Sequence, residues 1–163
     1  MRDGEGDVGC TADTSPQLLT SNAATTVRTA TPERMRACVV VGDQAVMQRA
    51  TDVLAQAQPA AERLSVLSVN ALHELPQVLP SFTIPLLQVT PSMSPLPAWG
   101  CISAEAGKLA AECVVWAAES VLLGHASALV TAPLHKEALF AAGLAFPGHT
   151  EMLQACAAAQ AGV

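Results

Sequence analysis

The sequence predicts an α/β fold, with parallel-sheet layers covered by helices. Three observations carry that expectation. Strand-like and helix-like runs alternate from Ala37 onward, a long amphipathic helix begins at Ser103, and a short apolar run over 126–131 leads directly into a proline-led helix start. Strands that alternate with helices are joined by crossovers, and crossovers produce a parallel sheet with helices on its faces.

The elements follow in order. Ala37-Cys38-Val39-Val40-Val41 is an apolar, valine-rich run closed by Gly42-Asp43, the pattern of a buried strand and its exit turn. Asp43 is placed to cap the next segment, in which Val46, Met47, Ala50, Val53 and Leu54 recur at helical spacing. Residues 63–69, carrying Leu64, Val66, Leu67 and Val69, read as a second strand. Pro76, Pro80, Pro85, Pro91, Pro95 and Pro97 divide the middle of the chain into short extended pieces, with 84–89 the strand candidate among them.

From Ser103 the periodicity is clearer. Ser103 is a natural N-cap, and Glu105 falls in the first turn, where the helix dipole favours an anion. Glu105, Lys108, Glu112 and Glu119 make a polar stripe, opposite Ala106, Leu109, Ala110, Cys113, Val114, Ala117 and Val121. This predicts a helix of about five to six turns over 103–124, ended by Gly124, with Trp116 at the edge of the core. Residues 126–131 read as a strand. Pro133 opens a helix that Gly143 closes, Pro147-Gly148 turns the chain, and Thr150-Glu151 opens a last helix. Residues 1–34, dominated by Gly, Thr, Ser and Asp, show neither period and are expected to be irregular, leaving 35–163 as a partial α/β domain.

Composition narrows the function classes. At 163 residues the chain suits one ordinary domain, and with 51% hydrophobic but 3% aromatic residues its core is built from Ala, Val and Leu. A net charge of -6, only eight Lys and Arg, and no basic run argue against a nucleic-acid surface. No apolar run approaches the ~18 residues of a membrane-spanning helix, and the acidic, glycine-containing start lacks the form of a signal peptide. The five cysteines include no CxxC pair and no histidine at metal spacing, so reduced structural thiols in a cytoplasmic protein are expected.

Chemistry concentrates between Thr131 and Glu151. Ligands of open α/β sheets bind beyond the carboxyl ends of strands, and Thr131-Ala132-Pro133-Leu134-His135-Lys136 is such an end. Phe146-Pro147-Gly148-His149-Thr150-Glu151 is a second helix start close behind it. Two helix N-termini near one another can hold a phosphate despite the negative net charge, with His135, Lys136 and His149 as donors. Taken singly, each residue has an ordinary structural reading: Thr150 as a helix cap, Lys136 as a solvated helix residue, and His73 and His125 as loop and helix-end histidines.

The run Ser103-Ala104-Glu105-Ala106-Gly107-Lys108, the run from Ala128 to Leu139 (ALVTAPLHKEAL), and Ala142-Gly143 with Pro147-Gly148-His149-Thr150-Glu151 together resemble the 4-hydroxythreonine-4-phosphate dehydrogenase family. A looser likeness extends back to Val39-Val40-Val41-Gly42-Asp43. The resemblance implies a fold similar to the isocitrate and isopropylmalate dehydrogenases, a homodimer, NAD(P) as cofactor and a divalent metal (Zn, Mg or Co). It implies oxidation, with loss of carbon dioxide, of a phosphorylated hydroxy-amino acid in pyridoxal phosphate biosynthesis. His149 and Thr150 match the family's substrate-binding His and Thr, and His135 and Lys136 stand where a supporting role is expected.

Two departures follow. Family members open on a glycine-rich Gly-Asp-Pro-Ala loop, of which Gly6-Asp7 and Ser15-Pro16 are eroded counterparts. The chain is also about half the family's length, so it is expected to be an incomplete form. The family's metal histidines and most of its cofactor site are expected outside it, and the sequence assigns no metal ligand and no catalytic residue. Two alternatives stand beside the main reading: a paralogue acting on 4-phospho-threonate or 4-phospho-erythronate, and a non-catalytic remnant.

Overall fold

The structure is a computed structural model that describes residues 38–57, 59–76 and 78–162. The strand expected from Ala37 forms as β1 (Val40–Gly42), and the residue that opens the expected run lies outside the described residues. The chain continues through helix α1 (Gln44–Ala55), strand β2 (Ser65–Val69), strand β3 (Thr83–Gln88) and helix α2 (Ala104–Leu122). Helices α3 (Lys136–Ala141) and α4 (His149–Ala161) follow.

The three strands form one parallel sheet in the order β1-β3-β2, with Val40 opposite Leu86 and Val66 opposite Ile84. As the central strand, β3 has both flanks hydrogen-bonded. Successive side chains of a strand point to opposite faces, and Ile84, Pro85, Leu86 and Leu87 are all buried, so both faces of β3 are covered. That explains why its sequence is continuously apolar rather than alternating. Pro85 sits inside this central strand opposite Leu67, forgoing the ladder bond its missing N–H would have made. On one face, Met47 and Leu54 of α1 pack with Val40, Leu64 and Ile84.

Helix α2 begins as its sequence dictates. Ser103 Oγ accepts from the Ala106 N–H at 3.2 Å, Glu105 lies in the first turn, and the chain leaves the helix through Gly124 at φ +78. Its buried side is a stripe of small residues that includes Gly107, Ala111, Cys113, Ala117 and Ala118, with Trp116 half-buried at the margin. Against the side that carries Gly107 and Ala111, α3 and α4 form a second core, in which Ala111, Leu139 and Met152 are joined by Val114, Val115, Leu134, Leu144 and Phe146.

The strand expected over 126–131 does not form. The segment runs through bends and irregular chain, and Val130 is 93% exposed. A parallel strand exists only by hydrogen-bonding to a neighbour, and no strand among the described residues pairs with this one. Pro133 likewise does not open α3, which starts three residues later behind His135 as N-cap.

The cysteine expectation holds for Cys38, Cys113 and Cys156, which are free. Burial, followed by the charges of Glu112 and Asp43, pushes the Cys113 thiol up to about 11, as befits an inert core residue. Cys101 departs from the expectation, because it is disulfide-bonded; an odd set of cysteines without paired spacing offered no signal for it. No helix among the described residues is long and apolar enough to cross a membrane.

At the carboxyl end of the sheet, Asp43 joins three pieces of chain. Its Oδ1 accepts from the Val46 N–H at 2.9 Å, capping α1. Its Oδ2 accepts from the Met93 N–H at 2.9 Å and from the Gln88 amide at 3.1 Å. The loop that carries Met93 is also held by Arg49, which donates to the Pro97 carbonyl at 2.6 Å and lies over the Trp99 ring at 4.3 Å. Burial pushes the Asp43 carboxyl up, but the donors from Val46, Met93, Gln88 and Ala45 together outweigh it and hold the group below its ordinary 3.8.

A carboxyl whose pKa is depressed on folding stabilises the fold above its unfolded value and loses that contribution as pH falls through its folded value. The urea midpoint is therefore expected to drop as the pH falls below about 4. In Asp43→Asn, which turns an NH₂ toward the Met93 and Gln88 donors, that part of the pH dependence should be missing. The same variant should be destabilised at pH 7 by about 2–4 kcal/mol, since it strands buried donors.

Candidate functional site

The site is built where α3 and α4 start, and its geometry begins at Gly107 on α2. A Cβ placed there would collide with the Ala138 carbonyl oxygen and stand 2.9 Å from the Leu139 nitrogen. Real Cβ atoms do not approach backbone so closely, so only glycine lets the main chain of α3 lie directly on the main chain of α2. Leu139, fully buried, and Met152 of α4 then lock both short helices to the same face of α2.

That docking fixes where the expected residues fall. His135 is the N-cap of α3, and its Nδ1 accepts from the Ala138 N–H at 3.4 Å. The ring is therefore turned back on its own helix rather than left free. Lys136, the first residue of α3, is exposed, and its stem lies against Gly148, where an added Cβ would stand 3.9 Å from the lysine Cε.

Gly148 is the N-cap of α4 and supplies no side-chain cap. It takes the capping position expected of Thr150, which instead lies exposed in the first turn. With no capping side chain, the N–H groups of His149, Thr150 and Glu151 have no acceptor within the helix. His149, half-buried, places its Nε2 2.9 Å from the Ala132 carbonyl oxygen. The Glu151 carboxylate also approaches Gly148, 3.7 Å from the position of an added Cβ.

Lys136, His149 and Thr150 thus come together at the bare N-terminus of α4, while His135 adjoins them with one nitrogen already used. An ammonium beside the positive end of a helix is unfavourable by itself; the nearby Glu151 carboxylate offsets that in part, and an anion bound between them would add to it. A phosphate monoester oxygen fits that description: it accepts from several N–H groups and from a lysine at once. Sequence reasoning missed two partners. The Ala132 carbonyl is main chain and leaves no residue-type signal. Gly107 was visible within its motif, but its contact with Ala138 joins positions far apart in the sequence.

Among the described residues no group of three or more His, Cys, Asp or Glu is placed to hold a metal ion. The described residues do not make a ligand set for a divalent ion.

A family model described as pyridoxal phosphate biosynthetic protein PdxA matches residues 34–163. The chain belongs to the PdxA family. The 4-hydroxythreonine-4-phosphate dehydrogenase of Beijerinckia indica is 37% identical over 115 residues, which are 71% of this chain and 32% of that protein. The D-threonate 4-phosphate dehydrogenase of Salmonella typhimurium is 54% identical over 54 residues, 33% of this chain and 16% of that protein. Among solved structures, a 4-hydroxythreonine-4-phosphate dehydrogenase from Burkholderia phymatum superposes with a TM-score of 0.71 at 28% identity. The overlap covers 91% of this chain and 41% of that one. The one from Klebsiella pneumoniae superposes at 0.62 with 33% identity, over 72% of this chain and 34% of that one. The chain spans about a third of the length of the curated relatives it matches. The α/β expectation and the family resemblance both hold, and this PdxA chain is similar to proteins named as dehydrogenases.

If Gly107 sets the seat of α3, Gly107→Ala should destabilise the chain by about 1–3 kcal/mol, the scale of an overpacked core. It should also displace the backbone amide signals of residues 135–141. Gly124→Ala is the control, since it meets no neighbouring atom within 4 Å and costs only its left-handed φ of +78, about 1–2 kcal/mol. It should leave the α3 signals in place. Equal effects of the two variants on α3 would show that the Gly107 contact does not seat the helix.

Proposed function

We propose that this PdxA chain contributes the substrate-phosphate half-site of an NAD-dependent dehydrogenase acting on 4-phosphooxy-L-threonine in pyridoxal 5′-phosphate biosynthesis. The observation that carries the reading is the meeting of the two motif segments: the Lys136 stem lies on Gly148, and the His149 ring bonds to Ala132. Those contacts bring the TAPLHKEAL and PGHTE runs to one point on the surface.

In the proposed reaction NAD(P), when bound, would supply the acceptor for the hydride on the carbinol carbon of the substrate, whose hydroxyl proton would pass to a base. The resulting 3-oxo acid then loses carbon dioxide. A divalent metal also belongs to the family expectation. The residues of this chain bind and orient. The α4 N–H groups and Lys136 neutralise the phosphate, while His149 and Thr150 direct polar atoms toward the ligand, with His135 in a supporting place. Holding the reacting carbon in one geometry is a large part of the rate gain in such a transfer. We further propose a homodimer working in the cytoplasm as the assembly in which the half-site acts.

A second reading is favoured by one observation. Over its 54-residue match the chain is 54% identical to a D-threonate 4-phosphate dehydrogenase, a higher identity than over the longer matches. Both candidate substrates are phosphorylated four-carbon hydroxy acids, so they share the phosphate site and differ in the amino group.

Calorimetry with 4-phosphooxy-threonine and 4-phospho-threonate tests the reading against threonine and threonate as unphosphorylated controls. The phosphorylated pair should bind and the controls should not. His149→Ala should weaken binding about 10- to 100-fold, as expected for loss of one hydrogen bond to a charged group. In a longer family member with the same motif, the equivalent change should lower kcat/KM for the phosphorylated substrate while leaving nucleotide affinity unchanged. Equal affinity for phosphorylated and unphosphorylated ligands would contradict the proposal.

A further inference from the structure

Two imidazoles flank the paired helix starts, and each has one nitrogen already committed. His135 Nδ1 accepts from the Ala138 N–H at 3.4 Å, so in the neutral ring its proton sits on Nε2. His149 is the reverse case. Its Nε2 lies 2.9 Å from the Ala132 carbonyl oxygen, which has no proton to give. That bond exists only with a hydrogen on Nε2, and the neutral ring is then left with a bare, accepting Nδ1.

Backbone geometry restricts both ends of this bond. Ala132 precedes Pro133, and a residue before proline is confined to extended conformations, so the direction of its carbonyl is restricted. His149 is the first residue of α4, which Met152 anchors in the core shared with α2 and α3. Since the 126–131 segment pairs with no strand among the described residues, no sheet ladder orients the chain just before Ala132. The imidazole ties this loop to α4 by a hydrogen bond.

We propose that the Ala132 main-chain carbonyl fixes His149 in its Nε2–H tautomer, and that His149 meets its ligand through Nδ1 alone. The ligand half of this inference rests on the phosphate half-site proposed above; the tautomer half does not. A ring pinned in this way accepts from a ligand hydroxyl or a protonated phosphate oxygen when neutral. When charged, it donates from Nδ1 to a fully ionised phosphate without releasing Ala132. Of the two rings, neutral His135 offers a donor at Nε2 and neutral His149 an acceptor at Nδ1, so they are not interchangeable.

Long-range proton–nitrogen correlation spectra of the 163-residue chain test this directly. At a pH where the ring is neutral, the His149 Nε2 should show the shift of a protonated nitrogen and Nδ1 that of a bare one. The opposite tautomer would overturn the proposal. Titration with inorganic phosphate should then move Nδ1 much further than Nε2, while a larger response at Nε2 overturns it. If phosphate moves the amides of residues 148–151 but neither ring nitrogen, the ligand half falls and the phosphate half-site stands. If phosphate moves nothing at this end of the chain, the half-site reading falls and takes the ligand half with it. A pair of variants gives an independent check. Asparagine places a polar atom where Nδ1 lies and glutamine places one where Nε2 lies, so His149→Asn should bind phosphate more tightly than His149→Gln. The reverse order would show that the ligand uses Nε2.

Discussion

The seating of α3 on α2 through Gly107 is the constraint on which the rest of the proposed site depends. Backbone against backbone leaves no side chain between the helices to adapt, so the position of α3 follows from that of α2 with little freedom. α3 carries Lys136, and its core residue Leu139 shares a cluster with Met152 of α4. One small residue thereby sets the spacing between two helix starts. The physical reason is close packing: a displacement of α3 by the radius of a methyl group would carry Lys136 away from Gly148 by a similar amount.

The sheet and the three-helix layer play different parts in this arrangement. Around β3, buried on both faces, the first provides a conventional parallel core. Its carboxyl end is tied together by the bonds that Asp43 accepts from Val46, Gln88 and Met93. The second is built on small residues, and the large side chains it buries fully are Leu139 and Met152. Exposed apolar groups remain beside it, among them Val130 and Phe140. The segment that bears the site is therefore the more lightly anchored of the two, and its precision comes from two contacts, Gly107 on Ala138 and His149 on Ala132.

Much of this was legible in the sequence, for identifiable reasons. α1, α2 and β3 were readable because a cap, a period and a bounding glycine or proline agreed with one another, as at Asp43, Ser103 and Gly124. The 126–131 run failed as a strand because strand formation is a property of a pair, and apolar, β-branched composition says nothing about whether a partner is present. The start of α3 moved from Pro133 to Lys136 because His135, an unusual cap, satisfies the Ala138 N–H. In the site, residue types gave Lys136, His149 and Thr150, but not their partners. Those partners are a carbonyl oxygen and the empty space at a glycine, and neither has a side chain to read.

Whether two helix starts, brought together by one backbone contact, form a single phosphate site is tested most directly by amide shift mapping with 4-phosphooxy-threonine. The backbone N–H groups of both helices are themselves the reporters in that measurement. Saturable shifts are expected at residues 136–137 and 148–151 together, with one common affinity, and they should be lost jointly in Gly107→Ala. Shifts confined to one helix start, or centred elsewhere on the chain, would contradict a single shared site.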